Sequence, residues 1–214
     1  MEQEKLLMTN SLVYSGPKNN SKLALDAVAL KLLDKFVPSE KENPVKVCKG
    51  KNSLFSAVSL ALCGSEKLTT ELRSRCTVEM VTYEAYYRWQ KGYVKLSNCA
   101  PEYPESCINC ALGEDSDVWT MSALTSVIRR PIQSIYPPVN GKMDHMIEAL
   151  NTTFKPRAKV RIFNLFFLAL TYSQSYMVPS SLCDSYSLLF YHLFQYSIIL
   201  IHISTLKINS TVIS

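Results

Sequence analysis

A polar turn followed at once by an apolar helical pattern is the feature that most constrains how this chain can fold. The turn contains Gly50 and Asn52, two residue types that tolerate unusual backbone angles. Behind the turn, apolar residues recur at helical spacing, at Leu54, Phe55, Val58 and Leu62. This pattern is too apolar for an exposed helix. We therefore predict a buried core helix over 54–62, ending at Gly64 and packed against a strand over 132–136 and a second helix that begins at Thr69.

Ser53 lies at or just before the first turn of that helix. Unpaired backbone N–H groups point outward there, and the helix dipole favours negative charge. A nucleophile at this position would be activated, and an oxyanion would be stabilised. The chemistry of the stretch alone favours a simpler role, because a serine before an apolar helix is most often an N-cap.

Residues 50–59 (Gly-Lys-Asn-Ser-Leu-Phe-Ser-Ala-Val-Ser) resemble the Asp-Gly-Asn-Cys-Leu-Phe-x-Ala-hydrophobic-Ser motif of ovarian-tumour (OTU) cysteine proteases. Asn52, Leu54 and Phe55 match the motif. In that family the Cys is the nucleophile and the Asp helps to build the site, but Ser53 and Gly50 stand at these two positions. A serine hydroxyl is a poor nucleophile unless a base takes its proton. The resemblance therefore implies an OTU-like site that has lost its catalytic groups.

A closer resemblance is to the vertnin family, whose members carry a degenerate OTU-like region. The shared segments keep their order and spacing between about residues 45 and 157. They are 47–50, 71–80, 86–87, 118–127, 134–137 and 156–157. The resemblance implies a nuclear, DNA-binding regulator of transcription in vertebral development. It also implies that the DNA-binding part lies in C-terminal sequence outside this chain.

The fold class predicted from these observations is α+β, with a truncated OTU-like, papain-related cysteine-proteinase core and a hydrophobic C-terminal tail. We divide the chain into a flexible arm (1–21), an OTU-like domain (22–161) and the tail (162–214). Within the domain we predict helices over 22–36, 69–90, 118–129 (capped by Asp117) and 142–150, and strands over 131–136 and 158–165. Residues 91–117 contain Pro101, Pro104 and Gly113 and are predicted to be irregular.

The predicted helix over 69–90 is amphipathic. Its inner stripe comprises Leu68, Leu72, Cys76, Met80 and Tyr87, with Val81 and Tyr83 beside it. Charged residues alternate on the predicted solvent side, at Glu71, Arg73, Arg75, Glu79 and Glu84. Such a helix is expected to cover a sheet.

No residue in the sequence stands out as a catalytic base or a replacement thiol. His145 is the only histidine before the tail, and its pattern places it on a short helix, where a surface or capping role is expected. Cys48 precedes the turn and Cys63 lies at the far end of the core helix. An OTU protease needs a nucleophile, a base and a residue that orients the base. This set is incomplete here.

Cys107-x-x-Cys110 is the only cysteine pair with metal-ligand spacing, and Cys99 could add a third thiolate. A structural zinc site needs four ligands, and neither a second cysteine pair nor a nearby histidine supplies the rest. We therefore expect these cysteines to lie by chance in a loop, with no metal and no cofactor. The odd total of seven cysteines and the charged N-terminus indicate free thiols in a reducing compartment.

The tail differs sharply in composition, because only Asp184 and Lys207 are charged after Arg161. Residues 186–206 are long and apolar enough to span a bilayer. Three explanations remain open: a membrane anchor, a buried hydrophobic segment, or an artefact of the gene model, translated from an intron or out of frame. The abrupt loss of charge beside residue 157 favours the artefact.

The function predicted from the sequence is a catalytically inactive OTU-like domain that serves as an interaction or regulatory module in transcription. Its expected partner is a protein, with ubiquitin-like proteins as one class, and its expected location is the nucleus, otherwise the cytoplasm. Two alternatives are an active OTU-type deubiquitinating hydrolase and a tail-anchored membrane protein. DNA contact is expected only through sequence outside this chain, and membrane contact only if 186–206 is a true anchor.

Overall fold

The structure is a computed structural model. It describes residues 24–27, 29–30, 44–48, 50–89, 100–136, 145–158, 166–171 and 197–202, the last two segments as backbone. Its helices are α1 (Ser53–Cys63), α2 (Thr69–Thr82), α3 (Glu84–Trp89), α4 (Tyr103–Leu112), α5 (Val118–Ile128) and α6 (His145–Leu150), with a 3₁₀ turn at Glu66–Leu68. Its strands are β1 (Ile132–Ser134), β2 (Thr153–Phe154), β3 (Phe166–Thr171) and β4 (Ser197–His202). The predicted α+β class is confirmed. The predicted arm over 1–21 lies outside the described residues.

Helix α1 is the buried core helix that the sequence predicts. Its four apolar marker residues are all buried: Leu54, Phe55, Val58 and Leu62. The helix ends at Gly64, whose positive φ of 71° allows its N–H to donate to the carbonyl of Leu60 at 2.7 Å. Helix α1 borders α2 as expected, but the strand it contacts most is β4, whereas the sequence predicts the strand over 132–136.

The single helix predicted over 69–90 is in fact two helices, because the helical conformation is interrupted at Tyr83. Tyr83 leaves the helical region, with φ −118° and ψ 33°. The break lets the ring of Tyr87 enter the core, where its hydroxyl donates to Glu79 Oε1 at 2.7 Å. The inner stripe is otherwise confirmed, since its members Leu72, Cys76, Met80 and Tyr87 are buried.

The predicted solvent side of this helix is wrong at three charged positions, because Arg73, Arg75 and Glu79 are all buried. Each has polar partners that compensate for the loss of water. Val81, by contrast, was predicted beside the inner stripe and is exposed. Helix α2 therefore packs against neighbours on more than one side.

Part of the predicted irregular section is the well-formed helix α4. Pro104 stands in its first turn, where the missing N–H costs nothing. Tyr103, Ser106 and Cys110 recur on one face and are buried. Helix α5 agrees with its prediction, and the carboxylate of Asp117 caps it by accepting from the N–H of Thr120 at 2.9 Å.

The four strands form one sheet in the order β2-β1-β3-β4. Strand β1 is antiparallel to β2, with Ile132 opposite Phe154, and parallel to β3, with Gln133 opposite Leu168. Strands β3 and β4 are antiparallel. In β1 the side chains of Ile132 and Ser134 are buried, and so is Tyr136, two residues beyond the strand.

Two segments of the predicted tail, 166–171 and 197–202, are strands of this same sheet. The rest of the tail and most of the strand predicted over 158–165 lie outside the described residues. Within the part of the chain that the structure describes, no helix is both long enough and apolar enough to cross a membrane. The predictions of an anchor or a gene-model artefact stay predictions.

Residues 24–26 pair with residues 44–46, which precede the OTU-like motif. Leu25 forms an isolated antiparallel bridge with Val45. Asp26 follows, and its carboxylate accepts from the N–H of Ala29 at 3.0 Å. The predicted helix over 22–36 therefore cannot include Leu25, which is in a bridge. Its last residues, 31–36, are outside the described part.

Candidate functional site

The OTU-like motif forms a tight loop that leads directly into α1. Helix α1 begins at Ser53, and Asn52 occupies the N-cap position without a side-chain capping bond. The N–H of Ser53 donates back to the carbonyl of Gly50 at 2.9 Å, and the N–H of Ser56 donates to the carbonyl of Asn52 at 2.9 Å. The interpretation of Ser53 as the N-cap is wrong by one residue, because Ser53 is already helical.

The guanidinium of Arg73 holds this loop in place. Its Nε donates to Asn52 Oδ1 at 2.8 Å, and its Nη2 donates to the carbonyl of Lys51 at 2.6 Å. Its Nη1 donates to the carbonyls of Cys110 and Glu114, at 3.2 Å and 3.0 Å. One buried cation thus joins the motif loop, α2 and the C-terminal end of α4.

Arg73 also stacks on the core, since its Cζ lies 4.5 Å from the ring centroid of Phe55. A guanidinium over an aromatic face gains cation–π stabilisation while its fork of N–H groups stays free to donate. The sequence pattern did not identify this role. One feature of the sequence could have indicated that Arg73 is buried. It lies one helical turn before Cys76, a residue of the inner stripe.

A surface cleft of about 350 Å³ opens beside Ser53. It is lined by Cys48, Gly50, Lys51, Asn52, Ser53, Ser56, Glu66 and Thr69. Two hydroxyl groups of the lining are linked: Ser56 Oγ lies 3.2 Å from Thr69 Oγ1, and Thr69 Oγ1 donates to the carbonyl of Glu66 at 2.6 Å. The position equivalent to an OTU nucleophile therefore faces a polar cleft.

Neither cysteine near the motif replaces the missing thiol. Cys48 lines the cleft, but a hydrogen bond to the Glu66 carboxylate, together with its negative charge, raises the pKa of the Cys48 thiol. The thiolate is the reactive form, so this environment works against nucleophilic attack. Cys63 lies at the far end of α1, where its thiol donates to the carbonyl of Ser59 at 3.2 Å.

Gly50, at the position of the OTU acid, adopts a backbone conformation that L side chains rarely take. Its φ is +141°, and no atom would lie within 4 Å of an added Cβ. The obstacle to a side chain here is the backbone angle rather than lack of space. A carboxylate could not be restored at this position without a change in the loop.

His145 is the first residue of α6 and is exposed. It is not among the residues that line the cleft. The structure therefore does not bring His145 together with Ser53, and the two predicted site elements remain apart.

The Cys107-x-x-Cys110 pair lies on helix α4, so the expectation that it sits in a loop is wrong. Cys110 is buried and accepts from Thr77 Oγ1 at 3.3 Å, while burial raises the pKa of the half-buried Cys107 thiol to about 11. Among the described residues, no three His, Cys, Asp or Glu side chains are grouped as metal ligands. Cys99 is outside that part of the chain.

A second buried polar cluster lies at the α2–α3 break. Glu79 is 1% exposed, and its Oε1 accepts from Tyr87 and from Arg157 Nε at 2.9 Å. The Cζ atom of Arg157 lies 3.4 Å from the ring centroid of Tyr83. The backbone N–H of Arg157 donates to Ser126 Oγ at 2.9 Å. Burial and the Glu79 charge hold the pKa of Tyr87 well above its usual range. This cluster fixes the chain after β2 onto the helices.

Comparison with known proteins identifies relatives across most of the described region. The family described as "Vertnin, OTU domain" matches residues 44–110 and 102–168. Human vertnin is 34% identical over 145 residues, which is 56% of this chain and 20% of the relative. Mouse vertnin is 31% identical over 181 residues, or 73% and 24%. The chain therefore spans about a fifth to a quarter of the length of these relatives.

Among solved structures, the OTU domain of OTUD1 is similar at a TM-score of 0.45 and 15% identity. The match covers 67% of this chain and 88% of that domain. The matched range of the vertnin family ends at residue 168 and so runs past residue 157, where the sequence resemblance was expected to end.

Proposed function

This chain belongs to the vertnin OTU-domain family, and from that premise we propose that it is a catalytically inactive OTU-like module that acts by binding a protein partner. The observation that carries the proposal is the geometry at Ser53. The residue is a serine, and its N–H donates inward to the carbonyl of Gly50 at 2.9 Å. The position therefore has no thiolate to attack a substrate carbonyl. Its backbone N–H is engaged with Gly50 and does not point at a site for an oxyanion.

The cleft composition supports the same proposal. A hydroxyl nucleophile needs a general base within about 2.6–3.2 Å. The residues that line the cleft offer the Glu66 carboxylate but no imidazole, and Glu66 is engaged with the Cys48 thiol. The cleft therefore lacks the imidazole base that activates a serine hydroxyl in hydrolases of this kind.

The wider role that we propose follows from the resemblance to the vertnin family. We propose a regulatory function in transcription, a nuclear location and a protein partner, with ubiquitin-like proteins as one class to test. Direct DNA contact would depend on sequence outside this chain. The polar cleft and the well-fixed loop beside it are the features that we expect a partner to use.

The test is a ubiquitin-chain cleavage assay on the full chain, with Ser53→Cys and Ser53→Ala as variants and an active OTU protease as positive control. We expect no cleavage by any of the three proteins. Ser53→Cys restores a thiol but not a base, so it should also be inactive. Cleavage by the wild type that is lost in Ser53→Ala would establish the alternative, an active hydrolase, and would refute the proposal.

A further inference from the structure

The segment from Ala100 to Ile128 carries a charge opposite to that of the whole chain. It contains five acidic residues and no lysine or arginine, whereas the chain has a net charge of +5. The acidic residues are Glu102, Glu105, Glu114, Asp115 and Asp117. Asp117 is buried as the cap of α5 and Glu114 is paired with Lys51, so the exposed carboxylates of Glu102 and Glu105 give this surface its negative charge. Glu102 precedes helix α4, Glu105 lies in its first turn, and Glu114 and Asp115 follow it.

The outward face of α4 is apolar at its centre. Ile108 is 57% exposed and Leu112 is 72% exposed. They are four residues apart, so they lie on the same side of the helix. Glu105, one turn earlier, and Glu102 before the helix are also exposed. We refer to Glu102, Glu105, Ile108 and Leu112 as the α4 face.

The α4 face adjoins the motif loop at its C-terminal end. Glu114, just after the helix, forms an ion pair with Lys51, which lines the cleft. Arg73 binds the carbonyls of Cys110 and Glu114 as well as that of Lys51. The end of α4 and the loop beside Ser53 are therefore fixed relative to each other.

We infer that the α4 face docks an amphipathic helical segment of a partner protein whose apolar side is flanked by lysines and arginines. Ile108 and Leu112 would bury against the apolar side of that segment. The carboxylates of Glu102 and Glu105 would pair with its cations. Their charge disfavours nucleic acid and anionic membranes as occupants. The inference deepens the proposed function, because it rests on a domain that acts by binding rather than by cleavage.

The test uses two synthetic, fluorescently labelled peptides of about 18 residues, long enough to form a helix on binding. One has leucines on one face and lysines on the other, and its counterpart has glutamate in place of lysine. Fluorescence anisotropy with the full chain should show binding of the lysine peptide and at least about tenfold weaker binding of the glutamate peptide.

Variants locate the binding surface. Ile108→Glu and Leu112→Glu should each weaken binding of the lysine peptide at least about tenfold, as expected for central residues of an interface, and Glu105→Lys should weaken it severalfold. Leu25→Glu is the matched control, because Leu25 is 55% exposed on a different segment, and it should leave binding unchanged. Thermal unfolding of each variant verifies that it is folded.

Several outcomes would overturn the inference. They are equal binding of the two peptides, no binding of the lysine peptide by the folded wild type, and unchanged binding in Ile108→Glu and Leu112→Glu. Self-association of the wild type that is lost in Ile108→Glu, without peptide binding, would instead make a second copy of the chain the occupant. The proposed function fails separately, by ubiquitin cleavage, so the two failures can be told apart.

Discussion

Arg73 Nε donates to the side-chain oxygen of Asn52 at 2.8 Å, joining two residues that are 21 positions apart in the chain. This bond explains why Asn52 sits at the N-cap of α1 and yet does not cap it. The side-chain amide oxygen of Asn52 accepts from Arg73 instead of from a backbone N–H of the helix. A side chain from α2 therefore holds the motif loop in its conformation. Because Lys51 and Asn52 of that loop line the cleft, the same contact helps to set the shape of the cleft.

Replacing Arg73 with methionine should destabilise the fold by about 2–4 kcal/mol. The change keeps much of the apolar stem but leaves the buried carbonyl of Cys110 without its donor, and it removes the bonds to Asn52 Oδ1 and the Lys51 carbonyl. Urea unfolding measures the loss. Arg88→Met is the control: its ion pair with Glu84 is exposed on both sides, so a change below about 0.5 kcal/mol is expected. Equal effects of the two substitutions would contradict the role of Arg73.

Phe55→Ala should cost about 3–5 kcal/mol of folding free energy, as for other fully buried aromatic residues. Phe55 has no exposed surface and also carries the guanidinium of Arg73 on its ring. Chemical denaturation of the wild type and the variant gives the difference. Leu25→Ala, at an exposed position, is the control and should cost well under 1 kcal/mol. A loss below about 1 kcal/mol for Phe55→Ala would contradict the packing.

The fold was predictable wherever a strong local signal coincided with burial. The apolar run after Ser53, followed by Gly64, predicts helix α1. Asp117, placed just before an apolar stripe, predicts the start of α5. The break at Tyr83 was not predictable, because it arises when the Tyr87 hydroxyl reaches Glu79 in the core. Helix α4 does not follow from the sequence pattern, because Pro101 and Pro104 favour an irregular segment, yet Pro104 stands in the first turn of the helix, where proline is tolerated.

The candidate site was predictable only in its local part. The positions of Gly50 and Ser53 follow from the motif, and the structure places both at the cleft. The residues that shape the cleft from elsewhere, Arg73 and Glu66, have no sequence signature, because their roles depend on contacts between segments distant in the chain. The charge of Arg73 predicts exposure to solvent, and only its tertiary partners reverse that expectation.

Substitution at Gly50 should destabilise the loop without any steric clash. Both Gly50→Ala and Gly50→Asp place an L side chain at φ +141°, a conformation that costs on the order of 1–3 kcal/mol. Urea unfolding of both variants tests this, and similar losses would identify the backbone as the cause. Gly113→Asn is the matched control, because its φ of +82° is closer to the left-handed region that asparagine tolerates, so its cost should be smaller. Stabilisation by Gly50→Asp would contradict the account.

The thiol of Cys48 should react slowly with iodoacetamide near neutral pH. The Glu66 carboxylate raises the pKa of Cys48, so less thiolate is present at a given pH than for an unperturbed cysteine. Glu66→Gln removes that charge and should shift the rate–pH curve to lower pH, with a faster rate at pH 7.5. Mass spectrometry of the modified peptide follows the rate. Glu114→Gln is the control, and a curve unmoved by Glu66→Gln would rule out this cause.

The pair formed by Glu79 and Arg157 should show strong coupling in a double-mutant cycle. Arg157→Gln leaves the nearly fully buried Glu79 carboxylate without its cation and should cost roughly 2–4 kcal/mol, because an uncompensated buried charge is unfavourable. Glu79→Gln removes that charge, so adding it to Arg157→Gln should recover part of the loss. The interaction free energy from the cycle is expected to be about 1–3 kcal/mol. Additive losses measured by urea unfolding would show that Arg157 does not act through Glu79, and its stacking on Tyr83 would then be the contact to test.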